Sequence, residues 1–191
     1  AITVKTINHY LLDAPNVILP SRSKPPYGMP AMTQGSKPVD GGHLILSSSE
    51  KIELLNKYPD LAEFIKPFIG GQELINGEQR FCLWFADANS SQLKKVGQYP
   101  EIKVRIEGVK KVRLASPTDS VRELANQPYI FTQNRQPKGN FLAIPEVSSE
   151  RRDYIPIGFL SPDYVPSNKI YLLPNVGLYE FGILTSCLHM A

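Results

Sequence analysis

From Tyr129 to Leu184 the chain breaks into five short β-prone runs, "YIFTQ", "NFLAIP", "YIPIGFL", "KIYLLP" and "LYEFGIL", separated by Pro, Gly, Asn and Ser. β-Branched and aromatic side chains suit a pleated, half-buried surface, and the breakers between the runs stop any one of them from growing long. The expectation is a twisted, mostly antiparallel sheet over residues 127–191. Helical patterns precede these runs rather than alternate with them, so the fold class is α+β, central helices followed by that sheet.

The segments before it are equally constrained. The stretch "NHYLLDAPNVILPSRSKPPYGMPAMTQGSKPVDGG" holds six of the seventeen prolines, and proline fixes φ and lacks an amide hydrogen. Residues 1–46 are therefore expected to wrap the domain as extended pieces and turns, ending in a short strand at His43 to Leu46. Residues 47–126 form the helical part. Ser47 with Glu50 three residues on makes a capping box, Pro59 starts a second helical turn ending before Gly70, and Ser116-Pro117-Thr118-Asp119 opens a helix running to Asn126. "PEIKVRIEGVKKVRL" sets Ile102, Ile106 and Val109 at helical spacing, with Lys103 and Lys110 on another face. Within this part Asn76-Gly77 predicts a type I′ hairpin over residues 73–85, whose second strand, Arg80 to Phe85, is apolar enough to be central in a sheet. At 191 residues the whole reads as a single domain.

Several chemistries find no support. There is no apolar run near the ~20 residues a membrane helix needs, and no basic-then-apolar leader. Cys82 and Cys187 lie far apart in apolar surroundings, which favours buried free thiols over a disulfide and fits a reducing cytoplasm. His9, His43 and His189 show no metal-ligand spacing, and "HYLLD" and "CLHM" suggest core imidazoles. "SKPPYG", from Ser23 to Gly28, is similar to the catalytic tetrapeptide of amino-group DNA methyltransferases. Lys24 stands where that chemistry needs a side-chain acceptor, and an ammonium only donates. No glycine-rich strand-loop-helix for S-adenosylmethionine precedes it, so the chain reads as a binding domain.

Charge points to a partner. Between Lys94 and Arg152 twelve Lys and Arg face six acids, a net +6, leaving −3 for the rest of a chain whose total is +3. One basic face for an anionic polymer explains this, and a solvated helix surface is the plain alternative. "FTQNRQPKGNF", from Phe131 to Phe141, carries Gln133, Asn134, Arg135, Gln136, Lys138 and Asn140 between two β-prone runs. Gln and Asn pair with adenine and Arg and Lys with guanine, so this set can read base edges, although a polar loop has the same composition. Ser21, Arg22, Ser23 and Lys24 mix hydroxyls with cations, as phosphate oxygens require.

The strings "YLLDAPNVILPSRSKP", "DGGHLILS", "FIKPFIGGQELINGEQRFCLW", "VRLAS", "NFLAIPEVSSERRDYIPIGFL" and "LYEFGILTSCLHMA", in this order, resemble the target-recognition region of MmeI-like DNA methyltransferases, the type IIL restriction-modification enzymes and their methylase-only relatives. The resemblance covers nearly the whole chain. It implies a piece of a longer protein in which an S-adenosylmethionine-dependent adenine-N6 methyltransferase domain lies upstream, so the cofactor belongs to the parent and not to this segment. Duplex DNA and that upstream domain are the implied partners, and the ending at Ala191 is expected to be internal to the parent. The segment "VSSERRDYIPIGF" follows the family pattern closely, so the resemblance gives Ser148, Ser149, Arg151 and Arg152 a constant task, phosphate contact or docking to the methyltransferase domain, with Glu150 orienting one arginine. The same two tasks are open to Ser21, Arg22, Lys24, Lys103, Lys110 and Arg113. "FTQNRQPKGN" matches loosely, which assigns base readout to Gln133, Asn134, Arg135 and Lys138. Two rivals stand beside this reading: an interdomain adaptor with a basic docking face, and a single-stranded RNA binder that stacks bases on Tyr129, Phe131 and Phe141.

Overall fold

The computed structural model describes residues 3, 5–9, 11–16, 18, 21, 24–25, 28–149 and 151–186, and the chain divides into two units, Ala1–Ala31 and Met32–Ala191. In the first unit a tight turn brings Ile7 opposite Asp13, closed by the Leu12 amide donating to Asn8 Oδ1 at 3.0 Å. His9 is exposed there, not the core imidazole its neighbours suggested.

The second unit runs β1 (Thr33–Gln34), β2 (Ile45–Leu46), α1 (Ser48–Lys57), a 3₁₀ segment (Pro59–Phe64), β3 (Ile65–Ile69), α2 (Gly71–Asn76), β4 (Arg80–Leu83), α3 (Ser90–Val96), α4 (Pro100–Leu114), α5 (Asp119–Glu123) with a closing 3₁₀ turn (Leu124–Asn126), β5 (Phe141–Pro145), β6 (Gly158–Leu160), β7 (Val165–Pro166), β8 (Ile170–Pro174) and α6 (Leu178–Leu184). The strands form two four-stranded sheets, ordered β1-β8-β5-β6 and β2-β4-β3-β7. Every pair is antiparallel except β3 with β7, so the mixed, mostly antiparallel α+β class holds.

Burial explains why the sheets form. Leu44, Leu46, Leu61, Leu83, Ile102, Val109 and Val165 are all essentially inaccessible and join the second sheet to α1, α3 and α4 in one core. A smaller core of Phe141, Ala143, Ile170 and Leu172 lies under the first sheet. Each such aliphatic or aromatic side chain contributes roughly 1.5–3 kcal/mol by leaving water. The capping box of α1 is complete: the Glu50 amide donates to Ser47 Oγ at 3.2 Å and the Ser47 amide to Glu50 Oε2 at 2.8 Å. Cys82 is a buried free thiol whose titration burial pushes far up, while Cys187 and His189 lie outside the described residues.

Five expectations about these elements are corrected. Asn76-Gly77 does not turn a hairpin: it ends α2, with Gly77 at φ +70° closing the helix through its amide to Glu73 O at 3.0 Å. Positive φ serves a helix C-cap as well as a type I′ turn, and here the Glu73 carboxylate accepting from the Gly70 amide at 2.7 Å nucleates helix. "LYEFGIL" is α6, not a strand, because Glu180 accepts from the Gly177 amide at 2.8 Å and caps the first turn. "YIFTQ" contributes only a bridge between Lys37 and Gln133. The turn from Pro59 stops at Phe64, and Ile65–Ile69 becomes an inner strand paired with both β4 and β7. The helix expected from Ser116 begins instead after Thr118, since Ser116 Oγ accepts from the Thr118 amide at 3.2 Å and closes a turn ahead of it.

Candidate nucleic-acid interface

The loop between Phe131 and Phe141 is fixed at both ends by buried rings. Phe131 meets Trp84 and Phe68 edge-on, at centroid distances of 5.1 and 6.0 Å, and Phe141 is wholly buried at the start of β5. Tyr129 packs against the same core as Phe131. Phe131 and Phe141 are therefore core residues and not the stacking platform a single-stranded RNA binder requires. Between them the backbone is tied down: Gln133 exchanges both its amide and carbonyl bonds with Lys37 at 3.1 and 3.0 Å, and the Arg135 amide donates to the buried Ser36 Oγ at 2.9 Å. Ser36 sits where Gly35 lets two backbones touch, since a Cβ on Gly35 would lie 2.3 Å from the Ser167 carbonyl. The side chains of Gln133, Asn134, Arg135 and Lys138 are all exposed. Asn134 uses Oδ1 locally, accepting from the Gln136 amide at 3.0 Å, which leaves its two N–H donors and a second lone pair outward.

A second polar surface gathers residues that are distant in sequence. Ser148, Ser149 and Arg152, from the β5–β6 connection, line a cleft of about 430 Å³ together with Arg80, Lys169 and Gln72. Arg80 and Lys169 are braced by carboxylates: Arg80 Nη2 donates to Glu73 Oε2 at 2.9 Å, and Lys169 Nζ to Glu146 at 2.7 Å. Burial alone would raise the Glu73 carboxyl, but Arg80 and the backbone amides outweigh it and hold it below the usual carboxylate range. Ser149 organises the backbone here, its Oγ accepting from the Arg151 amide at 3.2 Å and its carbonyl from the Arg152 amide at 3.0 Å. Arg151 is exposed outside the cleft, and Glu150 lies outside the described residues. Arg80 and Lys169 carried no sequence signal of this role. Arg80 read only as the first residue of a strand, and Gln72 lay just ahead of the supposed hairpin.

The helix α4 divides its cations. Lys103 and Lys110 are exposed. Arg113, expected to meet DNA backbone or a neighbouring domain, is fully buried instead. Its five N–H groups donate to the carbonyls of Val39 (3.1 Å), Pro38 (2.9 Å), Leu124 (3.1 Å), Gln127 (2.9 Å) and Ile130 (2.6 Å). Burial lowers its affinity for the proton, opposed by the nearby Asp40. Arg105 is likewise engaged, bonding the carbonyls of His43 and Ile45 and the Glu50 carboxylate, and Arg122 pairs with Asp119. Part of the +6 excess is thus internal, and the free basic surface is narrower than the charge count implied. In the first unit Ser21 and Lys24 are exposed, and Arg22 lies outside the described residues.

S-adenosylmethionine does not fit this chain. Among the described residues two strand-glycine-helix passages come near its requirement, β3 through Gly70 into α2 and β8 through Gly177 into α6, and each has its first helical turn already filled by a carboxylate, Glu73 or Glu180. No group of three or more His, Cys, Asp or Glu that could hold a metal occurs among the described residues, and no helix there is long and apolar enough to cross a membrane.

The family described as MmeI, target recognition domain, matches residues 13–191. DNA methyltransferase A of Bacillus subtilis (strain 168) is 37% identical over 187 residues, covering 98% of this chain and 21% of that protein. Among solved structures, that of the type IIL restriction-modification enzyme MmeI in complex with DNA matches at a TM-score of 0.84 and 36% identity, over 98% of this chain and 25% of that one. The chain thus spans about a fifth to a quarter of the length of the relatives it matches. With the match over residues 13–191 and this identity over nearly the whole chain, the chain belongs to the MmeI target recognition domain family.

Proposed function

We propose that this chain recognises a specific sequence in duplex DNA on behalf of an S-adenosylmethionine-dependent adenine-N6 methyltransferase of a restriction-modification system, acting in the cytoplasm. The observation that carries the reading is the 131–141 loop, whose main chain is pinned at Gln133 and Arg135 while the side chains of Gln133, Asn134, Arg135 and Lys138 are exposed. Base readout needs this combination, because bidentate pairing to a base edge discriminates only if the donor pair is held in place before contact. The relatives by name methylate DNA or were solved with DNA, and the family membership extends that partner to this chain. The cleft of Ser148, Ser149, Arg152, Arg80 and Lys169 supplies hydroxyl and cationic donors for a phosphate, a contact that positions without reading. The exposed Ser21, Lys24, Lys103, Lys110 and Arg151, and Arg22, add phosphate contacts or meet the methyltransferase domain.

Exchanging residues 132–140 for those of a relative with a different site tests the reading. The expected result is that a random duplex pool yields a new selected sequence, with non-specific affinity and its salt dependence unchanged. An unaltered selected sequence moves base readout elsewhere, and no duplex binding at low salt favours the adaptor role.

A further inference from the structure

We infer that Gln136 is the positioning residue of the recognition loop, setting its outward geometry by stapling it to the 161–164 turn. This rests on the base-reading function proposed for the loop. Gln136 belongs to the same run of amides and cations as its neighbours, yet its chemistry is already used up. Its Nε2 donates both hydrogens across the fold, to the Pro162 carbonyl at 2.6 Å and the Tyr164 carbonyl at 2.8 Å. Two carbonyls fix the amide orientation, because the reverse placement would set oxygen against oxygen. Its Oε1 is enclosed and finds no hydrogen-bond partner among the described residues. A group with both donors engaged and its acceptor enclosed cannot read a base.

The unsatisfied acceptor makes Gln136 unusual. Leaving a buried acceptor unpaired is destabilising; a methionine of similar volume would remove that cost and lose the two bonds to Pro162 and Tyr164, opposing effects on stability. What glutamine supplies at this position is the hold on two specific carbonyls. The loop's other ties to the fold, the Lys37 pairing of Gln133, the Thr132 hydroxyl on the Lys37 carbonyl, and the Ser36 and Gln34 bonds of Arg135, all act at residues 132 to 135. Gln136 is the tie that links the loop to the turn preceding β7 (Val165–Pro166), and through β7 to the β3 edge of the second sheet. The exposed Arg135 and Lys138 flank it on either side. Loss of the staple lets both change direction without removing either of them.

The test uses the 191-residue chain, a random duplex DNA pool, and the variants Gln136→Met and Gln136→Glu. Gln136→Met keeps the volume and loses the donors; Gln136→Glu sets a carboxylate against the two carbonyls. Both are expected to lower the ratio of affinity for the wild-type selected sequence over random duplex by about tenfold or more, the scale of one lost bidentate pair. Affinity for random duplex and its salt slope should stay unchanged, and Gln136→Met should melt close to wild type, outcomes that a merely structural residue would not give together. A wild-type-like ratio in Gln136→Met overturns the positioning role. A fall in random-duplex affinity parallel to the fall for the selected sequence also overturns it. Failure of the wild-type chain to select any sequence overturns the base-reading function, and the positioning role with it.

Discussion

The end of α4 around Arg113 and the β5–β6 connection around Arg152 use the same guanidinium in opposite ways. Arg113 is fully buried, and its five donors close the orphan carbonyls of the 38–39 segment, the turn after α5 and Ile130. Arg152 is exposed on the rim of a cleft whose connecting chain forms no helix or strand among its described residues. A planar fork with fixed donor directions can satisfy several carbonyls at once, which is how a cation survives burial without a paired carboxylate. The lesson is that a basic residue counts toward an interface only after its internal acceptors are known. Val39 adds to this: it holds φ +44°, an unfavourable value for a β-branched residue, and Arg113 bonds its carbonyl.

The largest expected effect sharpens that contrast. Arg113→Ala should cost more than about 3 kcal/mol in urea unfolding, since it strands several buried acceptors and leaves a cavity, whereas Arg152→Ala should stay within about 0.5 kcal/mol. Equal losses would break the comparison. Arg80 stands between the two, lining the cleft yet clamped by Glu73. Glu73→Gln should therefore lower stability by about 1.5–3 kcal/mol, as loss of a charge-assisted pair does, and also weaken DNA binding by freeing Arg80 to move. In binding, Arg152→Ala should cost a few-fold at low salt and reduce the log–log salt slope by about 0.9, read by titration at several salt concentrations, with no change in sequence preference.

The smallest effect concerns pH. The Glu101 carboxyl is lowered to about 2, first by the bond from Lys57 and then by that from Tyr58. Its value in the unfolded chain is higher, so its contribution is fully present above the ordinary carboxylate range and is lost as pH falls toward about 2. Glu73, also lowered, has the same sign. Melting temperature should be flat above about pH 5 and fall below it, and Glu101→Gln should make the fall slightly shallower because this exposed group contributes little.

Local patterns were legible. The capping box at Ser47, the α4 face of Ile102, Ile106 and Val109, the inner strand from Arg80 and the strands at Phe141, Gly158 and Ile170 all follow from spacing and propensity. Two of the misreadings share one cause. In "INGEQ" and in "LYEFGIL" the local sequence fits two structures, and a reach-back from Glu73 or Glu180 to a glycine amide three residues earlier selects helix. The strand Ile65–Ile69 was hidden because it is stabilised by partners on both sides that lie far along the chain. The cleft was half visible for the same reason: Ser148, Ser149 and Arg152 share one string, while Arg80 and Lys169 arrive from strand pairing.

Sequence by itself determined the class of the chain, the ordered strings that mark its family, and which residue types were available to meet DNA. Tertiary structure alone decided which of them remain free to do so. A guanidinium or amide carries the same donors wherever it lies in the sequence, and only the carbonyls folded against it make Arg113 and Gln136 internal struts while leaving Arg135 and Arg152 at the surface.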